Sequence, residues 1–173
     1  MKYLKILWII LLLSSCGTIK VDYDYEKETD FTAYNTYNYI ADLQTGLSEL
    51  DENRFFRAMD ITLQAKGLKF SEEPDLLIDV NSMVYETQSG NTVGVGLGGG
   101  GGAIGGGVSI GIPVGSPKLT REIVLDFLDA KKDILVWQAI GKAPFREGEP
   151  PAVKEENLQE MVNKIFEKYP PKS

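Results

Sequence analysis

The chain has 173 residues, with 18 Lys and Arg, 25 Asp and Glu, no His and one Cys. Without His and with a single Cys, it contains no Ser-His-Asp or Cys-His catalytic apparatus, no zinc finger and no internal disulfide. The formal charge of −7 argues against a nucleic-acid partner, because binding to a phosphate backbone requires a basic face. The length fits one domain with a modest hydrophobic core.

The first sixteen residues indicate where the protein goes. Lys2 and Lys5 are followed by an apolar run over residues 6–13, and two Ser residues then precede Cys16. The run is shorter than the ~20 residues that span a bilayer and predicts a signal peptide of residues 1–15. The order Leu-Ser-Ser-Cys resembles a bacterial lipobox, which implies that Cys16 is diacylated and becomes the new N-terminus. An ordinary signal peptide with a coincidental Cys, or an N-terminal membrane helix, remains the alternative.

The lipobox resemblance also implies a location. The residue after Cys16 is Gly17 rather than the Asp that retains many lipoproteins in the inner membrane, so we expect placement in the outer membrane, facing the periplasm. Two acyl chains on Cys16 and a third on its new amine would anchor the chain stably, since a single acyl chain binds only marginally. Loss of residues 1–15 leaves 16 basic and 25 acidic side chains, a formal charge of −9 that keeps the domain soluble.

The first half of the mature chain alternates strands with one helix. After a lipidated N-terminus and tether of residues 16–20, apolar and acidic residues alternate over residues 21–26, which predicts a strand with one charged face. A second short strand is predicted within residues 31–40. A capping-box pattern at Ser48 and apolar residues at helical spacing predict a helix that is ended by Gly67.

The second half contains the longer strands. A short strand over residues 68–70 and a long one over residues 75–85 are followed by strands at 121–128 and 134–140, which a polar turn joins. An amphipathic stripe over residues 158–169 predicts the last helix. Helices that are separate from hairpin-linked strands indicate an α+β two-layer sandwich, with two main helices packed on an antiparallel sheet.

A glycine-rich insertion occupies residues 86–118, with no charged residue between Glu86 and Lys118, and thirteen of the 18 glycines lie between Gly90 and Gly115. A G-x-G-x-x-G match at Gly94 is discounted, because no helix pattern follows to receive a dinucleotide. Alternating apolar residues predict an extended hairpin arm with its tip at residues 98–107, and a disordered loop is the alternative. The candidate partner contacts are the apolar residues of this arm: Val93, Val95, Leu97, Val108, Ile110 and Ile112.

Four stretches, in order, carry a resemblance to a known family. They are residues 21–24 with Asp30-Phe31, the spacing Tyr34-x-x-Tyr37, residues 58–67 leading to 75–79, and residues 124–130 leading to Trp137. Behind a lipobox, this set resembles the DUF4136 domain of bacterial envelope lipoproteins, over a single domain of residues 21–170. The resemblance implies a fold and a compartment, and it supplies no catalytic residues.

Two acidic groups offer weaker hypotheses. Asp22, Asp24 and Glu26 have the oxygen ligands of a Ca²⁺ site but lack the loop Gly and terminal Glu of an EF-hand, which favours a solvated strand face. A carboxylate pair for hydrolysis would draw on Glu122, Asp126 and Asp129, although Asp residues at strand ends commonly form turns.

Aromatic residues offer a third hypothesis. Five of the eight tyrosines lie between Tyr23 and Tyr39, and with Trp137 they would provide a stacking surface, although Tyr is also a common strand residue.

We therefore expect a non-catalytic binding or scaffold protein without cofactor or metal, held to the membrane through the lipid on Cys16. Its partner would be an unknown envelope protein that contacts the arm and an exposed sheet edge. A periplasmic binder of a small molecule or cell-wall glycan, or a carboxylate-dependent hydrolase, stays open.

Overall fold

The computed structural model describes residues 19–87, 92–95, 110–113 and 118–171. Residues 1–18, with the predicted signal peptide and Cys16, lie outside this part of the chain, as do Leu97 and Val108. The described elements, in chain order, are β1 (Lys20–Tyr25), β2 (Thr36–Tyr39), α1 (Glu49–Ala65), β3 (Lys69–Phe70), β4 (Leu76–Thr87), β5 (Thr92–Val95), β6 (Ile110–Pro113), β7 (Lys118–Asp129), β8 (Ile134–Phe145) and α2 (Pro151–Phe166).

Six strands form one mixed sheet in the order β1-β8-β7-β4-β2-β3, so the domain is α+β. Each adjacent pair from β1 through β8 and β7 to β4 is antiparallel, whereas β2 runs parallel to both β4 and β3. The prediction of an antiparallel sheet is therefore wrong at β2. The reason is that α1 connects β2 to β3 as a crossover, which returns the chain to the end where β2 began.

The predicted strand over residues 31–40 is divided in the structure. A short 3-10 turn, Phe31–Ala33, precedes β2, and the Asp30 carboxylate accepts a hydrogen bond of 3.0 Å from the Thr32 amide. Such local side-chain bonds compete with strand pairing. The predicted cap of α1 is confirmed, since Ser48 Oγ accepts from the Asp51 amide at 3.4 Å. Helix α2 begins at Pro151, which fits the first helical position because Pro lacks an amide donor.

The described helices cover one face of the sheet. Side chains that point to this face, such as Ile78, Leu125 and Trp137, are fully buried and form one hydrophobic cluster with residues of α1 and α2. Their neighbours along the strands, such as Leu77 and Val124, remain partly exposed on the opposite face. This period-two pattern is that of a sheet with one packed face and one open face.

An aromatic cluster fills the core between β7, β8 and the end of α2. The Phe127 and Trp137 rings lie 4.9 Å apart between centroids, and Tyr169 lies 5.0 and 5.2 Å from them. Phe166 completes the group at 6.1 Å from Phe127. Large buried aromatic side chains dominate core energetics, so this cluster holds α2 against the sheet.

A buried carboxylate joins both helices to the sheet near the start of β7. The Asp51 side chain is 3% exposed and lies 2.7 Å from Arg54 Nη1, 3.6 Å from Arg121 Nη2 and 3.8 Å from Lys154 Nζ. Arg121 belongs to β7 and Lys154 to α2. The Arg121 guanidinium also lies 4.3 Å from the Phe145 ring centre. Burial lowers the pKa of Arg121 from its usual value, and the Asp51 charge opposes this change.

We predict that Asp51→Asn will lower the free energy of unfolding by about 3–5 kcal/mol, because it leaves buried cations without their counter-charge. The matched control is Glu155→Gln, which removes an exposed ion pair with Arg57 (3.5 Å) and should cost less than about 1 kcal/mol. Urea denaturation measures both. Equal losses in the two variants would contradict the structural role of Asp51.

Candidate functional site

The candidate site is the distal end of the sheet, the end at which β4 finishes and β7 begins. Pairing places Lys20, Lys142, Glu122 and Met83 in one row across β1, β8, β7 and β4. Beyond this row three strands continue, and β4 and β7 extend four residues further, or about 13 Å at 3.3 Å per residue. We use "distal end" for this row and the strand residues beyond it.

The helices do not cover the distal end. Along the helix-facing side of β4, exposure rises from 1% at Val80 to 8% at Ser82 and 43% at Val84. Met83 and Tyr85, which point to the open face, are also exposed. Three consecutive apolar residues therefore meet solvent on both faces of one strand, a feature that marks interaction sites more often than isolated exposed residues do.

At the distal end, one edge of β4 has no partner among the described residues. Ile78 O accepts from Ile40 N at 3.1 Å, and Ser82 N donates to Thr45 O at 2.7 Å on the same edge. In a strand, the amide and carbonyl groups of every second residue face the same edge. The groups of Val84 and Glu86 therefore face the same edge as those of Ile78 and Ser82. No described backbone group pairs with them there. An open edge of this kind is a template for another strand.

The loop before α1 determines where the open edge begins. Gly46 has φ +72°, and a Cβ added at this position would collide with the Ser82 carbonyl oxygen. This close approach allows Thr45 to pair with Ser82, so the protected part of the β4 edge ends at that residue. Residues 83–87 form the remaining segment, which we call the distal edge.

Side-chain contacts hold the distal edge in place from the β7 side. The Tyr85 hydroxyl donates to Glu122 Oε2 at 3.3 Å, and Lys142 Nζ lies 3.3 Å from the same oxygen. The Thr87 and Thr120 hydroxyls are 2.7 Å apart. The distal edge therefore belongs to a strand that is held on its other side by β7.

Strands β5 and β6 pair with each other as a separate antiparallel two-stranded sheet. Val93 lies opposite Ile112, and Val95 lies opposite Ile110. The other candidate contacts, Leu97 and Val108, and the predicted tip at residues 98–107 lie outside the described residues. The arm as a whole thus stays a prediction.

The acidic residues singled out in the sequence do not converge. Glu122 and Asp126 lie on the open face of β7, whereas Asp129 points to the covered face beside Leu76. Asp129 Oδ1 accepts from the Lys131 and Lys132 amides at 2.9 and 3.0 Å and therefore forms a turn. Burial raises the pKa of Asp129, but hydrogen bonds to the carboxylate lower it by more, so the pKa lies below its usual value.

Asp22 and Asp24 occupy the open side of β1, opposite Ile140 and Gln138. Within the described ranges, no group of three His, Cys, Asp or Glu side chains is arranged to hold a metal ion.

The tyrosines do not form a single stacking surface. Tyr37 and Tyr39 donate to Asp60 Oδ1 at 2.8 and 2.7 Å, and Tyr34 donates to Asp129 Oδ2 at 3.0 Å. Burial, with the adjacent Asp129 carboxylate, raises the pKa of Tyr34 to about 12. Tyr23 and Tyr25 stack on each other at the edge of the sheet, with ring centroids 6.3 Å apart.

A cavity of about 520 Å³ lies at the opposite end of the sheet, where β7 finishes. Its lining includes Glu26, Asp30, Tyr34, Asp129 and Lys132. Sequence reasoning missed this cavity because its walls come from segments about 100 residues apart. It predicted an exposed sheet edge as a partner contact but did not locate it, although the consecutive apolar residues Met83-Val84-Tyr85 depart from strand alternation and were a usable signal.

These features define a small α+β domain in which one sheet face and the distal edge of β4 are not covered by any other described element. The chain belongs to the DUF4136 family, described as "Domain of unknown function (DUF4136)", which matches residues 21–171. No curated protein matches the sequence. None of the helices within the described residues is long and apolar enough to cross a membrane.

Two solved structures show a similar fold. One is a PDZ domain protein from Parabacteroides distasonis ATCC 8503, with 13% identity and a TM-score of 0.57 over 99% of this chain and 41% of that chain. The other is a PelC dodecamer from Paraburkholderia phytofirmans, with 8% identity and a TM-score of 0.50 over 86% of this chain and 95% of that one. The chain thus spans about two fifths of the length of the first. At these identities the similarity shows the fold alone.

We predict that Gly46→Ala will destabilise the domain by roughly 2–3 kcal/mol, because it combines a positive φ with a backbone collision. The control is Gly67→Ala, which has φ +90° but no atom within 4 Å of the added Cβ, and should cost about 1 kcal/mol. Urea denaturation compares the two variants, and amide exchange at Ser82 should accelerate only in the first. Similar effects at both glycines would contradict the close approach at Ser82.

Proposed function

We propose that this protein is a lipid-anchored, non-catalytic binding module of the bacterial envelope. The signal peptide of residues 1–15 is removed, and Cys16 carries the lipid that holds the domain at the periplasmic side of the outer membrane. The domain is a two-layer α+β sandwich whose glycine-rich hairpin extends from the distal end. The observation that carries the proposal is the distal edge, an unpaired strand segment with exposed apolar side chains.

The distal edge fits an extended segment of another envelope protein. Val84 and Glu86 present amide and carbonyl groups that an added strand would satisfy, which is the basis of β-strand addition. Met83, Val84 and Tyr85 supply apolar contacts on both sides of the new strand. Main-chain bonds would provide affinity, and these side chains would provide selectivity.

The glycine-rich arm extends the same surface. It continues from β4 and returns to β7, and no charged residue lies between Glu86 and Lys118. A partner that contacts Val93, Val95, Ile110 and Ile112 would therefore bury no charge from this chain, and burying an unpaired charge is costly. Scaffolding rather than catalysis is also favoured by the separation of Glu122 and Asp126 from Asp129 on opposite faces of β7.

A second candidate, a periplasmic binder of a small molecule, is favoured by the cavity beside Asp129. Four of its five charged lining residues are acidic, which suits a cationic ligand better than an anionic one. Ile134 lies in this lining and is as exposed as Val84, at 44% and 43%. The two positions can therefore serve as matched probes for the two candidate functions.

A photo-cross-linking residue should be placed at Val84, and in a separate variant at Ile134, in cells that make the full chain. We predict a discrete protein adduct from Val84 and none from Ile134. The adduct should disappear when Glu86→Pro removes an outward amide from the edge, and persist in Glu86→Ala.

Adducts of equal yield from both positions, or a Val84 adduct that survives Glu86→Pro in the folded variant, would contradict docking at the distal edge. A small-molecule adduct at Ile134 alone would favour the second candidate.

A further inference from the structure

We propose that the open face of the sheet is a second docking surface, which receives a basic amphipathic helix of another protein. The open face is the side of β1, β8, β7 and β4 that the described helices leave uncovered. Binding there requires neither the lipid on Cys16 nor the distal edge. It adds to the proposed function a scaffold role, in which one domain holds two partners through different chemistry.

A row of carboxylates crosses the open face. The row consists of Asp24 on β1, Gln138 on β8, Asp126 on β7 and Asp79 on β4. We call its three aspartates the acidic row. None of the ion pairs among the described residues involves them, so their negative charge is left for a partner to neutralise.

Two members of the acidic row lie directly opposite each other. Asp79 and Asp126 are partners on neighbouring strands, and like charges in that arrangement destabilise a strand pair. Their described hydrogen bonds come from neutral donors. Val80 N donates to Asp79 Oδ1 at 2.8 Å, and Gln138 Nε2 donates to Asp126 Oδ1 at 2.7 Å. A cation from a partner would relieve a repulsion that the free domain retains.

The lysines of these four strands that share the open face lie toward the distal end. Lys20 and Lys142 are opposite each other in the row that begins the distal end, and Lys118 lies beyond that row. Lys142 Nζ is 3.3 Å from Glu122 Oε2. The row of Ile140 lies between these lysines and the acidic row, so the acidic row forms a separate negative part of the face.

Apolar side chains lie on both sides of the acidic row. Ile140 and Val124 are opposite each other in the row on the distal side, and Leu128 and Leu77 are opposite each other on the other side. All four are partly exposed. A partner that covers them removes apolar surface from water, which stabilises the complex, while the acidic row selects a partner of positive charge.

The two middle strands offer a partner side chains only. Strand β7 pairs with β4 and β8, and β8 pairs with β7 and β1, so their backbone groups are engaged on both edges. An element that docks on them must therefore satisfy its own backbone hydrogen bonds, as a helix does. A helical layer on a sheet face is also a common arrangement in folded domains.

The dimensions of the open face fit one helix. From Glu122 to Leu128 the face is about 20 Å long at 3.3 Å per residue, and from β1 to β4 it spans three strand spacings, or about 14 Å. A helix of about 13 residues is roughly 20 Å long and 10–12 Å wide. Its apolar stripe would lie on β7 and β8, and Lys or Arg on its two flanks would reach Asp24 and Asp79.

The charge and the paired backbone disfavour other occupants. A second copy of this chain would bring a face of the same charge sign, and an anionic bilayer would repel the acidic row. An extended strand finds free backbone groups at the distal edge but none on β7 and β8. A basic helix suits both the carboxylates and the apolar rows.

The test uses the mature chain of residues 16–173 with Cys16→Ala, which contains every described residue and keeps lipid and detergent out of the assay. The probes are two helical peptides of about 14 residues, a length that matches the face. One has Leu on one side and Lys on the other, and the second has Glu in place of each Lys. Residue-resolved amide NMR titration should show shifts at Val124, Asp126 and Ile140 with the Lys peptide, none at Val84, and no binding of the Glu peptide.

Two double variants separate a specific face from general attraction. Asp79→Asn with Asp126→Asn removes two charges of the acidic row and keeps acceptor oxygens for Val80 and Gln138. Glu72→Gln with Glu73→Gln removes two exposed charges between β3 and β4. We expect the first pair to weaken binding of the Lys peptide by about tenfold and the second by less than about twofold. Asp79→Asn alone should raise the urea midpoint of the free chain, because it removes the repulsion from Asp126.

Equal losses of affinity in the two double variants would overturn the proposal, since they would reflect the overall charge of the chain. Shifts confined to Val84 and its neighbours, or no shift at millimolar Lys peptide, would also overturn it. Contacts between Val124 and the glycine-rich arm in the free chain would do the same, because the face would then be covered from within. A lower urea midpoint in Asp79→Asn would assign that carboxylate a structural role and contradict the repulsion. None of these results would alter docking at the distal edge.

Discussion

The buried carboxylate of Asp51 fixes the geometry on which the candidate site depends. It lies in the first turn of α1, where a negative charge also complements the helix dipole, and it contacts Arg121 of β7 and Lys154 of α2. Arg121 pairs across the sheet with Val84. The network therefore holds both helix N-termini at the level where the distal edge starts. Without Asp51, a largely buried guanidinium would lose its counter-charge, and such a loss costs more than most single core contacts.

The open distal end follows from the lengths of the elements. A helix of 16 or 17 residues is about 25 Å long at 1.5 Å per residue, whereas a strand of 12 residues is about 40 Å long. Two such helices cannot cover the full length of β4, β7 and β8. Because Asp51 places the helix N-termini near Arg121, the uncovered part of the sheet lies on the side of Met83–Val84–Tyr85. Strand β1 begins at the same end with Lys20, which pairs with Lys142.

Local patterns in the sequence predicted most of the elements, and long-range pairing decided the rest. Ser48 predicted the start of α1 correctly, and alternation identified β4, β7 and β8 although it placed several ends too early. The parallel pairing of β2 was not predictable, because the sequence of a four-residue strand does not indicate which strand it pairs with or in which direction. The position of the distal edge was missed for a related reason. The edge begins after Ser82 because the loop through Thr45 pairs with β4 only as far as that residue, and no periodicity in the sequence indicates this tertiary contact. The carboxylate pair that Asp129 could have formed with Glu122 or Asp126 is absent because residues at odd spacing along a strand point to opposite faces, and Asp129 forms a turn instead.

Within the described part of the chain, the β4 edge beyond Ser82 has no backbone partner, and amide hydrogen exchange tests this directly. In the purified, lipidated protein, residue-resolved exchange should be fast at Val84 and Glu86 and slow at Ser82, which bonds to Thr45, and at Tyr85, which faces β7. Addition of the docking partner should slow exchange at Val84 and Glu86 alone. Equal protection of Val84, Glu86 and Tyr85 in the purified protein would contradict the open edge, and with it the proposed binding site.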